Sequence, residues 1–281
     1  MADSVLRRAA EHTWWYSPDE RTDRPALAVV AGSSAAVLLE VGASPRHTRS
    51  FLAAIAPLHL PPLRGAVLSH WHWDHSFGAA ALQVPVIGER ATHRELVHQA
   101  RLSFSDAALD ARVADGTEIA FCRDMLRLEM PDRDDLEIVP PHVVFDERLT
   151  LDLGGVTVEV ARVGGDHAAD SCVAYVVEDR LLFLGDCLYE RLYAPVEHYT
   201  PAGLAAVVER IAAYDATVAI EGHDPELHDA VRLRRRLAVL RAAALDAERL
   251  GPAALAAAPD DDAREAVQLV LAGIGLGTPG R

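Results

Sequence analysis

The chain of 281 residues contains no lysine and no asparagine, so all 27 of its basic side chains are arginine; against 42 acids they leave a formal charge of −15. A field of that sign argues against nucleic acid as a partner, because phosphate binding is driven by basic side chains that release counterions. The skew toward alanine, arginine, aspartate and leucine is the pattern of GC-rich coding and carries no functional weight. No run approaches the roughly 20 apolar residues of a membrane span. The opening "MADSVLRRAAEHTWWYSP" has no apolar signal core with a cleavage site, so no membrane partner and a cytoplasmic location are expected. Cysteine is scarce as well: Cys122, Cys172 and Cys187 are odd in number and show no CxxC spacing, which excludes a disulfide framework or zinc knuckle. Repeats, low-complexity linkers, a GxSxG elbow, a P-loop and a Rossmann glycine fingerprint are also lacking.

What is present suits one enzyme-sized globular domain, with half of the residues hydrophobic. "ALAVVAGSSAAVLLEVG" reads as a hairpin that opens a sheet. "SPRHTRSFLAAIAPL" reads as a helix, with Ser44 as N-cap and Pro45 at the first helical position. "GAVLSH" is a short buried strand, and "QVPVIGERATHRELVHQ" repeats strand and then helix. Residues 101–130 turn helical, which marks an inserted cap expected to form a lid, and a loop follows. Short strands return from "IVPPHVV" onward, and "SCVAYVVEDRLLFLGD" gives two more about a Glu-Asp turn. A helix over "AGLAAVVERIAAYDA", a strand at "TVAI" and Ala/Leu/Arg-rich helices to the end complete the chain. Residues 1–225 are therefore taken as the main domain, and residues 226–281 as a helical extension packed on it.

The chemistry concentrates in "LSHWHWDHSFG". His70, His72, Asp74 and His75 are the residue types that bind zinc and related divalent ions. At an extended strand end His70 and His72 point the same way, and a turn into a helix swings Asp74 and His75 to a second position nearby. Two pairs of ligands from one turn suggest two metals. Three further candidates follow a strand or glycine turn in the same manner: His167 in "VGGDHAADS", Asp186 in "LLFLGDCLY" and His223 in "VAIEGHDPE".

With HWHWDH, GGDH, LFLGD and EGHD in this order, the stretch from about residue 26 to residue 225 resembles the metallo-β-lactamase superfamily of dinuclear metallohydrolases. The resemblance implies an αβ/βα sandwich: two mixed β-sheets face to face, helices outside, and metals at one edge. It also implies that His70, His72 and His167 hold a first divalent ion, that Asp74, His75 and His223 hold a second, and that Asp186 bridges them. Zinc is the first expectation, with manganese or iron as alternatives for an all-N/O ligand set. Where Asp186 stands, the true β-lactamases with two zincs carry a cysteine or lack a bridging side chain. Asp186 thus points to the thioesterase, lactonase and phosphodiesterase branches.

Other residues keep two readings. Tyr189, three residues past Asp186, either packs or hydrogen-bonds a substrate carbonyl, as a tyrosine does in the lactonases of the superfamily. Glu40 either accepts from a ligand's ring N–H or lies exposed at a strand end. Asp166 and Asp170 flank His167 as orienting or ordinary turn acids. Cys187 should point away from the metals. Trp71 and Trp73 belong at the rim, Phe77 in the packing, and His198 is to be checked for nearness to the metals. Trp14, Trp15 and Tyr16 either cover a sheet edge or meet a second copy of the chain. The arginines of "RLRRRLAVLRAAALDAERL" are expected on a solvated helix face.

The expected function is hydrolysis of an ester, thioester or lactone of a small metabolite by a metal-bound hydroxide, with Asp74 orienting the nucleophile or shuttling its proton. Alternatives are a phosphodiesterase or β-lactam hydrolase and, from another class, a non-catalytic metal-binding sensor.

Overall fold

A computed structural model describes residues 4–133 and 136–275. The extremes of the two expected segments, residues 1–3 and 276–281, and residues 134–135 of the loop expected after Met130 lie outside the described residues. The first half comprises strands β1 (Leu6–Arg8), β2 (Thr13–Tyr16), β3 (Leu27–Ala31) and β4 (Ala36–Leu39), helix α1 (Pro45–Ile55), strand β5 (Leu63–Val67), the short helix α2 (Trp73–Ser76), strand β6 (Val86–Glu89), helices α3 (Arg90–Gln99), α4 (Asp106–Asp115) and α5 (Ala120–Glu129), and strand β7 (Val143–Phe145). The second half comprises β8 (Arg148–Asp152), β9 (Thr157–Arg162), β10 (Cys172–Val176), β11 (Leu181–Gly185), α6 (Pro201–Ala212), β12 (Val218–Glu221), β13 (His228–Asp229), α7 (Ala230–Leu250), α8 (Ala254–Ala257) and α9 (Asp261–Gly275). Among the described residues these form a seven-stranded sheet in the order β1 to β7 and a six-stranded sheet in the order β13-β12-β11-β10-β9-β8.

The central strands of each sheet are buried on both faces, and the alternation of side chains along each strand shows why. Ala28, Val30, Val37 and Leu39 from the first sheet meet Val158, Val160, Ala174, Leu181 and Phe183 from the second. Their neighbours Leu27, Val29 and Leu38 turn outward onto Phe51 of α1, Leu109 of α4 and Leu126 of α5. On the far side Val173, Leu182 and Leu184 pack under Leu204 and Val208 of α6, Leu237 and Leu240 of α7, and Val270 of α9. The result is the expected αβ/βα sandwich.

Local signals act where they were read. Ser44 Oγ accepts from His47 N at 3.0 Å at the start of α1, with Pro45 at its first position. The expected helix over residues 101–130 is divided: Gly116 ends α4 in the left-handed region, and a turn intervenes before α5. The segment is fastened by Glu129, whose buried carboxylate accepts from both Nε and Nη2 of Arg24 at 2.9 Å, from Thr22 Oγ1 at 2.7 Å and from Ser44 Oγ. The N-terminal residues were underread. Trp14, Trp15 and Tyr16 form strand β2, which pairs with β3 inside the sheet, and β1 pairs with its outer edge.

Glu129→Ala should strand Arg24, which is nearly buried, at a cost of about 3–5 kcal/mol. We expect a lower melting temperature and faster proteolytic cleavage between α4 and α5. Unchanged melting and cleavage would show that Glu129 does not fasten the segment.

Candidate metal centre

Two parallel strand pairs gather the candidate ligands. β4 runs parallel to β5, so Glu40 and His70 leave the first sheet at the same edge; β11 runs parallel to β12, so Asp186 and His223 leave the second sheet together. The two exits are stitched by backbone hydrogen bonds, Cys172 N to Ser69 O at 2.7 Å and Ala26 N to Gly222 O at 2.6 Å. Gly222 is required there. A Cβ at this position would stand 1.9 Å from Asp186 Oδ1.

All seven candidates converge. His70, His72 and His167 form one group, and Asp74, His75, Asp186 and His223 a second, each with its ligand atoms within 4.8 Å of one another. Asp186 Oδ2 lies 3.1 Å from His75 Nε2, 3.4 Å from His167 Nε2 and 3.3 Å from His223 Nε2, so one carboxylate oxygen faces both groups. Asp74 Oδ2 is 2.9 Å from His75 Nε2 and 3.2 Å from His223 Nε2.

The donor set fits divalent metal. His167 Nδ1 donates to the carbonyl of Glu190 at 3.1 Å, which leaves Nε2 with a lone pair; that atom is buried and has no hydrogen-bond partner. His70 Nδ1 is engaged by Ser69 Oγ at 2.9 Å, and its Nε2 is equally unpartnered, as is Asp186 Oδ1. Orphaned buried polar atoms cost about 1–3 kcal/mol each, a cost that a bound cation removes. Burial, with repulsion from neighbouring imidazoles, holds His70 and His72 well below the usual imidazole range, and burial also lowers His167. These three are neutral, as ligands must be. Burial works against charge at His75 and His223 too, but Asp74 and Asp186 outweigh it and hold both well above the ordinary range. Against the same penalty, His75 and His223 pull Asp74 and Asp186 below the usual carboxylate range.

The surroundings settle several open readings. Glu40 is buried, accepts from Ser69 N at 3.0 Å and stands 3.4 Å from His75 Nδ1, so it backs that ring. Asp166 and Asp170 do not orient His167: Asp166 accepts from Thr200 N and Oγ1 at the start of α6, and Asp170 accepts from Thr92 Oγ1. Cys187 packs into the core beneath α6 and α7. His198 bonds the carbonyl of Val196 and joins neither group, while Phe77 packs edge-on against Phe104. The arginines of α7 are not a plain solvated face, since Arg236 is mostly buried beside Glu221.

A cavity of about 250 Å³ opens over His72, Asp74, His167, Asp186 and His223, lined otherwise by Asp23, Trp73, Phe121, Cys122, Tyr189, Glu190, Leu192, Tyr193 and Glu197. Phe121 and Cys122 start α5, so the helical segment forms one wall, while the Tyr189 ring centroid stands 6.2 Å from those of both His167 and His223. Asp23 was missed by the sequence reading: left-handed backbone in an early turn carries its carboxylate to 3.6 Å from His223 Nδ1. The sole signal was an aspartate in "ERTDRP", which nothing local ties to residue 223.

A sandwich with histidine and aspartate gathered at the strand ends defines a metallohydrolase architecture. The family model described as "Metallo-beta-lactamase superfamily" matches residues 21–254, and the chain belongs to that superfamily. Among solved structures, the chain is similar to a metallo-beta-lactamase from Pontibacter korlensis (22% identity, TM-score 0.58, covering 84% of this chain and 98% of that one). It is similar also to the DIM-1 metallo-beta-lactamase (18% identity, TM-score 0.60, 84% and 96%) and to one from Hirschia baltica (15% identity, TM-score 0.59, 84% and 97%). No curated protein matches the chain.

The two groups respond to pH in opposite directions. The lowered carboxylates contribute stability that is present above about pH 4 and lost as pH falls through their folded values. The raised imidazoles contribute stability that is complete below about pH 6.5 and lost as pH rises through theirs. Metal needs those imidazoles neutral, so the gap in melting temperature between zinc-loaded and chelated protein should widen as pH rises from about 5 to about 8.5. A gap independent of pH would show that His75 and His223 give up no protons to the metal.

Proposed function

We propose that the protein hydrolyses an ester, thioester or lactone bond of a small molecule, using two divalent ions, zinc first and manganese or iron as alternatives. The observation that carries the dinuclear reading is the position of Asp186 Oδ2, within 3.4 Å of imidazoles from both groups. His70, His72 and His167 would hold one ion and Asp74, His75 and His223 the other, with Asp186 between them. Ions held there supply Lewis-acid polarisation and lower the pKa of water toward about 7.

The side chains of this protein do the rest. Asp74, hydrogen-bonded to His223 and paired with His75, is placed to hold or pass on the proton released as water attacks. Tyr189 stands on the cavity wall as an un-ionised phenol, able to donate to the oxygen of a carbonyl lodged against the histidines. Trp73, Phe121 and Tyr193 give the remainder of the cavity aromatic walls. The solved relatives bear the name metallo-beta-lactamase, but at 15–22% identity that likeness reaches the fold and not the substrate.

Elemental analysis after reconstitution should find about two metals per chain, and Asp186→Ala should lose far more metal than Cys187→Ala. At most one metal, or equal losses, would overturn the dinuclear assignment. Turnover of a panel of thioesters, lactones, phosphodiesters and β-lactams then tests the substrate reading. A phosphodiester or β-lactam as best substrate would replace it.

On the best carbonyl substrate, Tyr189→Phe should reduce kcat by about 10² to 10³ while metal content stays the same, since only the preorganised donor is lost. Full activity in that variant would make Tyr189 a packing residue.

A further inference from the structure

The cavity above the histidines is lined by three acidic residues that are not candidate ligands, Asp23, Glu190 (whose carboxylate also accepts from Tyr199 Oη at 3.5 Å) and Glu197, and by aromatic residues, but among the described residues by no arginine; lysine does not occur in the chain. Arg191, between the lining residues Glu190 and Leu192, is exposed and does not line the cavity, and other arginines nearby pair with acids of the framework. Arg24 is held by Glu129. Arg232, Arg235 and Arg236 of α7 line an adjoining cavity of about 550 Å³ that shares Tyr189 and His223 with the first, and there Arg232 is held by Asp224 and Glu226, Arg235 by Asp260, and Arg236 stands 3.7 Å from Glu221. A substrate carboxylate or phosphate entering over the metal centre would therefore lose its hydration beside acids, with no arginine among the described residues lining that cavity to replace it. An uncharged or cationic group meets the opposite conditions, because acids and aromatic faces both favour a positive charge. The apolar character continues outward: Phe121, which lines the cavity, and Val196, next to Glu197, are both about half exposed.

We infer that the cavity selects non-anionic substrates with an apolar body, and that Glu190 and Glu197 are the residues that turn anionic ones away. This rests on the proposed hydrolysis of carboxylic esters, thioesters or lactones and narrows it: acyl carriers bearing phosphate, and substrates recognised through a free carboxylate, are excluded. The selection is made by the side walls. Charge carried by ions at the floor polarises the reacting carbonyl and does not pair with a group lodged further out.

The test uses metal-loaded protein and three butyrate esters of matched size, whose alcohol ends in a trimethylammonium, a tert-butyl or a carboxylate group. The first two should exceed the third in kcat/KM by at least about tenfold, and Glu190→Gln with Glu197→Gln should recover about three- to tenfold for the carboxylate ester relative to the tert-butyl one. The corresponding amides, titrated calorimetrically, should bind in the same order. Binding in that order with no ester cleaved would uphold the charge selection and sink the esterase reading. A carboxylate ester or amide handled as well as the others, or a double variant that leaves the ratio unmoved, would overturn the inference.

Discussion

One carboxylate, that of Asp186, carries the site: a single oxygen faces imidazoles delivered by three separate loops. That position is a product of topology. Asp186 and His223 follow neighbouring parallel strands, and Gly222 N bonds Gly185 O at 2.9 Å to fix the one exit against the other. Gly185 turns the chain with φ of 52°, and Gly222 presents no Cβ, so the carboxylate can settle between the two loops. Any side chain at residue 222 would occupy the space of Asp186 Oδ1. The glycine of "EGHD" therefore matters as much to this geometry as the histidine that follows it.

The cluster is costly without metal, and the surrounding fold makes that cost bearable. Neutral imidazoles with unpartnered nitrogens sit beside carboxylates that protonated imidazoles must balance. The apolar layers around the central strands of each sheet supply the stability that holds this arrangement, Glu40 backs the His75 ring at 3.4 Å, and hydrogen bonds to Ser69 and the Glu190 carbonyl fix the orientation of His70 and His167. Cation binding then satisfies atoms that folding alone leaves unsatisfied, so the free energy of metal binding also becomes folding free energy.

How much of this was legible in the sequence follows from the range of each interaction. The HWHWDH turn could be read because its four residues are local and their types and spacing are specific. The cap of α1 and the apolar β-rich runs of β3, β4, β10 and β11 are local in the same way. Asp23 and Glu129 could not be read: each acts across the fold, on His223 and on Arg24, and neither carries a pattern of its own. β1 and β13 are too short for periodicity to register, and β2 was obscured because its aromatic residues suggested a surface patch. The acids beside His167 stayed ambiguous for a related reason. Proximity in sequence left open that one of them orients the ring, whereas Asp166 holds Thr200, the N-cap of α6, and a backbone carbonyl does the orienting.

The oddity of composition returns at the cavity. With lysine absent, arginine must supply every fixed cation, and arginine is best at planar, bidentate pairing with carboxylates. Arg24 on Glu129 and Arg90 on Asp146 pair in that way, while Arg127 on Asp106 and Asp110, Arg180 on Asp215 and Arg232 on Asp224 make one contact to each carboxylate. Pairs of this kind hold helices and turns in place, and they spend the cations on architecture. What remains along the cavity is the acidic surplus of the chain together with aromatic rings from α2, α5 and the loop after β11. The fold brings the chemistry to one edge, and the way its charges are distributed over the framework shapes what that edge can admit.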